Sequence, residues 1–262
     1  MKGWVASLPM YDLTEVRQLT DGLWNVIARH IRKEGLADTP QALVHEQPVR
    51  DLWADKNLLF SQCCGYDIFH RYKRELCVLG TPTYSAPGCH ESDYASVVIV
   101  PEGSNFDDVL KMPGTVAVIN GWESHSGANS LFGLVAPKQP HKRFFSRIIA
   151  SGSHVASLDL LRRRKADVGA IDCVTYSLLQ RFRPNALTGT RRLGLTYTAP
   201  APPFVTRASL PGEQLDRLRT ALHNAFSDTD FNTIARDLLL TGLAPHLSVD
   251  YARIDSEFSG PR

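Results

Sequence analysis

Val116-Ala-Val-Ile119 runs directly into Asn120-Gly-Trp-Glu-Ser-His-Ser-Gly-Ala-Asn-Ser130, and the reading of this junction decides the fold. Four consecutive apolar residues have the length of a buried strand. The hydroxyl-bearing and glycine residues after them open a helix. First-turn N–H groups have no partner inside a helix, and the dipole end there is positive, so short hydroxyl side chains at such a start make a place for an anion. Ser124, His125, Ser126 and Gly127 fit that use, with Gly127 letting the backbone come close to a ligand. The segment also fits a plain N-cap, which needs one hydroxyl only.

Outward from this junction the same unit repeats. Phe144 to Ala150 reads as a strand, Gly152-Ser153-His154 as the turn after it and Val155 to Leu161 as a helix; Val168 to Ile171, then Asp172 and a helix through Leu179, form the next unit. Alternating short apolar runs and helical periods predict α/β lobes, each a mostly parallel sheet flanked by helices. Three junctions then fall at the carboxyl ends of parallel strands, where open α/β sheets bind ligands. Taken singly, His154 reads as a cap or structural histidine and Asp172 as an N-cap; taken together, they read as neighbours of one ligand.

Two Pro-rich stretches flank the set, Gly80 to Cys89 before the strand Ala95 to Val100, and Pro200-Ala-Pro-Pro203 after the strand Leu193 to Tyr197. They divide the chain into two lobes, 1–88 with 197–262, and 89–196, with a ligand cleft expected between them. The first lobe begins with a strand at Trp4 to Leu8 and a helix over Asp12 to Glu34, for which Asp12 and Thr14 are cap candidates and Gly35 the stop. Leu58 to Ser61 and Leu76 to Gly80 are its further strands. Helices over Gln214 to Phe226 and Phe231 to Leu240 complete it. Its ligand-facing loops offer Tyr11 and Gln62 as donors, which read equally as a loop tyrosine and a strand-end amide.

Among 262 residues, 29 Lys and Arg nearly balance 27 Asp and Glu, which gives no electrostatic reason to expect nucleic acid or an anionic membrane as partner. Any anion site is therefore local. The run Arg162-Arg-Arg-Lys165 ends a helix and complements its dipole. Cys63, Cys64, Cys77, Cys89 and Cys173 follow no zinc spacing and read as reduced, small apolar residues. Neither metal nor cofactor is called for, and a monomer without membrane insertion is expected. The first residues hold no apolar run of signal or membrane-helix length, so the chain reads as cytoplasmic as it stands, or as having an export signal removed.

Ser124-His-Ser-Gly127, Gly152-Ser-His154 with Ser157 after it, Ala166-Asp-Val168 to Ala170-Ile-Asp172, and Tyr94-Ala-Ser-Val-Val-Ile-Val100 together resemble the phosphate, phosphite and phosphonate binding proteins of ABC importers. The resemblance runs from Ala6 to about Leu243. It implies a two-lobed type II periplasmic-binding-protein fold, a periplasmic location, a permease partner, and a phosphoryl group held by the hydroxyl-rich helix start with donors at Tyr94 and His154. Two departures stand out. The family's frequent Ser-Thr-Ser is Ser124-His125-Ser126 here, and a Pro-rich Ala199 to Phe204 replaces an acidic residue near the second crossing, which counts against an aminoalkyl phosphonate.

Two other functions share this fold. One is an enzyme resembling pyrimidine-precursor synthases, using His154 or a cysteine chemically, for which Ser126, His154 and Asp172 could form a triad. The other is a cytoplasmic ligand sensor. Against an enzyme, the chain has no Gly-x-Ser-x-Gly elbow, His-Glu-x-x-His, dinucleotide fingerprint or P-loop.

Overall fold

The computed structural model describes residues 3–136, 143–245 and 248–254. Contacts divide the chain into two compact units, Met1–Ser85 with Pro200–Tyr251, and Ala86–Ala199 with the chain from Ala252 on. The chain changes unit at Ser85–Ala86 and again at Ala199–Pro200, and Arg253 pairs with Asp93 inside the second unit, its Nη2 lying 2.9 Å from Oδ2.

The first unit begins with β1 (Val5–Ala6), α1 (Arg17–Lys33), α2 (Val49–Ala54), β2 (Leu58–Gln62), α3 (Gly65–His70) and β3 (Leu76–Tyr84). The second unit runs through β4 (Cys89–His90), β5 (Asp93–Tyr94), β6 (Ser96–Pro101), β7 (Val116–Ile119), α4 (Ser130–Val135), β8 (Arg147–Ala150), α5 (His154–Arg162), β9 (Val168–Asp172), α6 (Cys173–Phe182) and β10 (Thr190–Leu195). After β11 (Ala199–Pro200), the chain completes the first unit with β12 (Phe204–Arg207), α7 (Gly212–Phe226), α8 (Thr229–Asp237) and β13 (Leu240–Ala244).

The first unit's sheet has the order β1-β2-β12-β3-β13. β1 and β2 run parallel, and β12 enters reversed between β2 and β3, with Phe204 opposite both Gln62 and Gly80. A line of rings crosses the core beneath it: Trp24 to Phe60 at 5.5 Å, Phe60 to Phe204 at 5.2 Å, Phe204 to Phe226 at 6.3 Å and Phe226 to Phe231 at 4.4 Å. These contacts explain why Phe204 follows the Pro-rich stretch without a spacer.

Three local expectations are corrected here. α1 starts at Arg17 rather than at Asp12, because the Asp12 carboxylate is taken by His45 Nδ1 at 2.9 Å and Arg17 Nε at 3.4 Å and caps nothing; Thr14–Val16 forms a separate 3-10 turn. β3 continues past Gly80 to Tyr84, through a stretch read as a crossing. Pro82 fits because β12 pairs with β3 only as far as Gly80, so no partner on that side asks for the missing N–H. The last helix stops at Asp237, Leu239 takes a left-handed φ of 62°, and Leu240 starts β13 instead of ending the helix.

The second unit's sheet has the order β10-β6-β9-β7-β8. β7 pairs parallel with both β8 and β9, while β6 is reversed beside β9, with Ser96 opposite Asp172. Consequently β7, β8 and β9 end at the edge where β6 begins. Phe144 and Phe145, read as the first residues of a strand, instead pack into the core with Val98, Met112, Leu131 and Val168, and β8 starts at Arg147. β10 spans Thr190–Leu195, displaced toward the N-terminus from the expected Leu193 to Tyr197.

Candidate functional site

The site grows from the carboxyl ends of β7, β8 and β9 in the second unit. After β7 the chain turns at Gly121, whose carbonyl accepts from Ser124 N at 3.2 Å, and enters a π-helical turn over His125–Asn129. The Ser124 hydroxyl accepts from Gly127 N at 3.1 Å, so the capping role is real. Accepting that bond leaves the hydroxyl its own proton to donate. Ser124 O accepts from both Ala128 N and Asn129 N at 3.2 Å, which is where the turn widens from four-residue to five-residue spacing. Ser130 then fixes the turn from behind, its hydroxyl donating to Ser126 O.

Gly127 is required by space. A Cβ there would lie 1.8 Å from Asn120 Oδ1 and 3.2 Å from the Asn120 backbone nitrogen. Asn120 thus closes the back of the turn, with Oδ1 buried and unpartnered among the described residues. Neither Asn120 nor Ser130 stood out in sequence. Ser130 could have been found from its four-residue spacing to Ser126, whereas nothing marked Asn120.

After β8, Ser153 caps α5 by accepting from Ala156 N at 3.1 Å, and His154 Nε2 lies 3.0 Å from Ser126 Oγ. This bond joins two of the three junctions. Burial drives the His154 imidazole down to about 4, against a smaller upward pull from the Ala170 carbonyl, and burial alone drives His125 down to about 3. Both rings are therefore neutral at pH 7. The ring of Tyr94, on β5 just before β6, sits 6.0 Å from that of His125, and both residues are buried.

At the third junction Asp172 Oδ1 accepts from Val174 N at 2.8 Å and Thr175 N at 2.9 Å. It is an N-cap of α6, 2% exposed. Ser124, His125, Ser126, Gly127, His154, Tyr94 and Asp172 all lie at this edge of the sheet. With both imidazoles neutral, these residues offer hydroxyls, ring N–H groups and helix-start amides.

Tyr11 and Gln62 lie in the first unit and meet through Tyr84. Gln62 Nε2 donates to Tyr84 Oη and Pro202 O, both at 2.9 Å, and the rings of Tyr11 and Tyr84 stand edge to face at 5.3 Å. Those bonds occupy the Gln62 amide protons. Among the described residues no group of His, Cys, Asp and Glu could hold a metal, and no helix is long and apolar enough to cross a membrane.

Solved structures share this architecture. A binding protein component of an ABC phosphonate transporter from Pseudomonas aeruginosa is 14% identical with a TM-score of 0.76, covering 98% of this chain and 86% of that one. PhnD1 from Prochlorococcus marinus, in complex with methylphosphonate, is 14% identical with a TM-score of 0.75, covering 98% and 97%. A Xanthomonas citri protein bound to chloride ion is 14% identical with a TM-score of 0.73, covering 97% and 98%. The fold is that of the type II periplasmic binding proteins. No curated protein matches the chain in sequence.

Residues 73–251 match the family model described as ABC transporter, phosphonate, periplasmic substrate-binding protein, and the chain belongs to that family. Its role is solute binding.

Proposed function

We propose that the protein captures a small phosphoryl-type oxyanion, phosphate, phosphite or phosphonate, for an ABC importer and performs no chemistry on it. The observation that carries this reading is the bond between Ser126 Oγ and His154 Nε2, which unites two helix-start junctions rich in hydrogen-bond donors. In the tautomer with the proton on Nε2, neutral His154 donates to Ser126 Oγ, and Ser126 gives its own proton to a ligand oxygen. Ser124 donates likewise, and the amides from His125 to Gly127 supply further N–H groups. Tyr94 is proposed as a further donor. A catalytic triad is the weaker reading of the same residues, since Asp172 Oδ1 serves as the N-cap of α6, accepting from Val174 N and Thr175 N.

The test is a thermal-shift screen of phosphate, phosphite, methylphosphonate, sulfate and small carboxylates, followed by calorimetry of the best ligand. At about a hundred times its dissociation constant, a ligand stabilises the native state by about 2.7 kcal/mol. Ser126→Ala should weaken binding roughly tenfold or more, since a hydrogen bond to a charged group contributes about 1.5–3 kcal/mol. Unchanged affinity would remove the serine from the site, and a screen in which only carboxylates stabilise would reject the phosphoryl reading.

A further inference from the structure

We propose that Cys89 and Cys173 are the two halves of a reversible disulfide, making the second unit a substrate for thiol–disulfide exchange. Their sulfurs lie 3.4 Å apart across 84 residues of chain, already near van der Waals contact. All five cysteines are free in the structure.

The backbone around the pair holds the sulfurs together. Ala95 N donates to Gly88 O at 2.8 Å, and Cys173 N donates to Ala95 O at 3.1 Å, so one residue ties the segment before Cys89 to Cys173 itself. Cys89 is also paired with Tyr94 across the β4–β5 hairpin. Gly88, at a φ of 107°, brings the chain down onto Cys173: a Cβ there would lie 3.2 Å from Cys173 Cβ and 3.4 Å from its sulfur. Forming an S–S bond of about 2.05 Å then asks the two side chains to close a short remaining gap.

The two sulfurs differ in a way that orders the reaction. Cys89 is partly exposed, beside exposed Pro87 and His90, whereas Cys173 is buried at the start of α6. Cys173 exposes no surface, so an oxidant reaches Cys89 first, and hydrogen bonding to Cys89 together with burial raises the Cys173 thiol in the same sense. Cys89, as thiolate, attacks the disulfide of an oxidant such as glutathione disulfide, forming a mixed disulfide and releasing one glutathione thiolate. Cys173 then attacks the Cys89 sulfur, and its proton leaves with the second glutathione, which is expelled as the thiol. Two protein thiols are oxidised and one glutathione disulfide is reduced to two thiols. The remaining cysteines are not so placed: Cys63 and Cys64 are adjacent and buried, and Cys77 Sγ lies 3.7 Å from Arg219 Nη2.

The experiment equilibrates the whole reduced protein with excess glutathione disulfide, counts thiols after denaturation and maps the linked peptides by mass spectrometry. Two of the five thiols should disappear, the intact chain should lose two hydrogens, and a single peptide pair should join Cys89 to Cys173. Closing so long a loop should raise the melting temperature of the oxidised form by about 5 °C, and dithiothreitol should reverse it. Cys89→Ser, at the more exposed position, should abolish both bridge and shift, while Cys63→Ser should leave both. Retention of all five thiols, a glutathione adduct left unresolved on Cys89, or a bridge mapping to another pair would each overturn the proposal.

Discussion

Replacing Gly127 by alanine sets two physical expectations against each other. Helix propensity alone favours alanine over glycine by about 1 kcal/mol. The packing says the reverse: the new Cβ would stand 1.8 Å from Asn120 Oδ1, 2.8 Å from Cγ and 3.2 Å from the backbone nitrogen. The Asn120 backbone cannot easily retreat, since its carbonyl accepts from Gly152 N at 3.0 Å and so couples the β7 junction to the β8 junction. Overpacking of this kind costs about 1–3 kcal/mol. Gly127→Ala should therefore destabilise by about 2 kcal/mol despite its better propensity. Asn120→Ala removes an unpartnered buried acceptor and opens only a small space, so it should be close to neutral. The double variant should recover about 1–2 kcal/mol of the loss, because the side-chain clash is gone and only the 3.2 Å approach remains. Urea unfolding followed by circular dichroism gives all four free energies. If Gly127→Ala is as stable as wild type, or the double variant no better than it, Asn120 does not dictate the glycine and the account of the turn is wrong.

Three further perturbations read other parts of the molecule. Asp172→Asn keeps an oxygen to accept from Val174 and Thr175, so stability should hold within about 0.5 kcal/mol; should Asp172 also read a ligand proton, the variant should lose discrimination against sulfate, and parallel titrations with the preferred ligand and sulfate would leave it a cap. Burial opposes charge on His45, but hydrogen bonds to Asp12 and Asp21 outweigh it and raise its pKa above 6.5. Its stabilising contribution is thus full below 6.5 and lost as pH rises through the folded value, so the stability margin of wild type over His45→Gln should shrink as pH rises above 6.5, and a constant margin would contradict it. Burial raises the Asp67 carboxyl from 3.8 to about 6, with Arg71 and Arg50 opposing less strongly. Ionising it in the fold costs stability that is absent below 3.8 and complete above about 6, an interval corresponding to about 3 kcal/mol at most; Asp67→Asn should flatten this fall, and identical pH profiles would refute it.

The parts of the fold legible in sequence are those where a short apolar run meets a glycine or serine. Val116–Ile119 is both the expected and the observed strand, and α5 begins at His154 beside the expected start. Strand direction was less legible, because an apolar run does not encode it: β6 and β12 read like their neighbours yet run the opposite way. Phe204–Arg207 escaped notice because four residues after Pro202 and Pro203 look like linker, and only the ring contacts of Phe204 make them a central strand. In the site, Ser126 and His154 were visible as hydroxyl and imidazole at helix starts. Their bond was not, because 28 residues separate them. Asn120 acts through a shape seven residues away, and Cys89 finds Cys173 only once β4 and α6 are placed side by side; spacing rules address neither.

The π turn at His125–Asn129 also fixes a residue count. Ser130 N reaches back five positions to His125 O, so the turn holds one residue more than an α-helical turn would. Deleting any one of the five would restore ordinary pitch and rotate everything after it by roughly 100°. Leu131 and Val135 would then swing off the core they share with Val98 and Phe145, and the Ser130 hydroxyl would leave the carbonyl of Ser126. The extra residue lets hydroxyls and amides face one way while the apolar side of α4 faces the other. In this segment chain length is as tightly constrained as residue identity, and a shortened version would have to give up either the edge of hydroxyls and amides or the core.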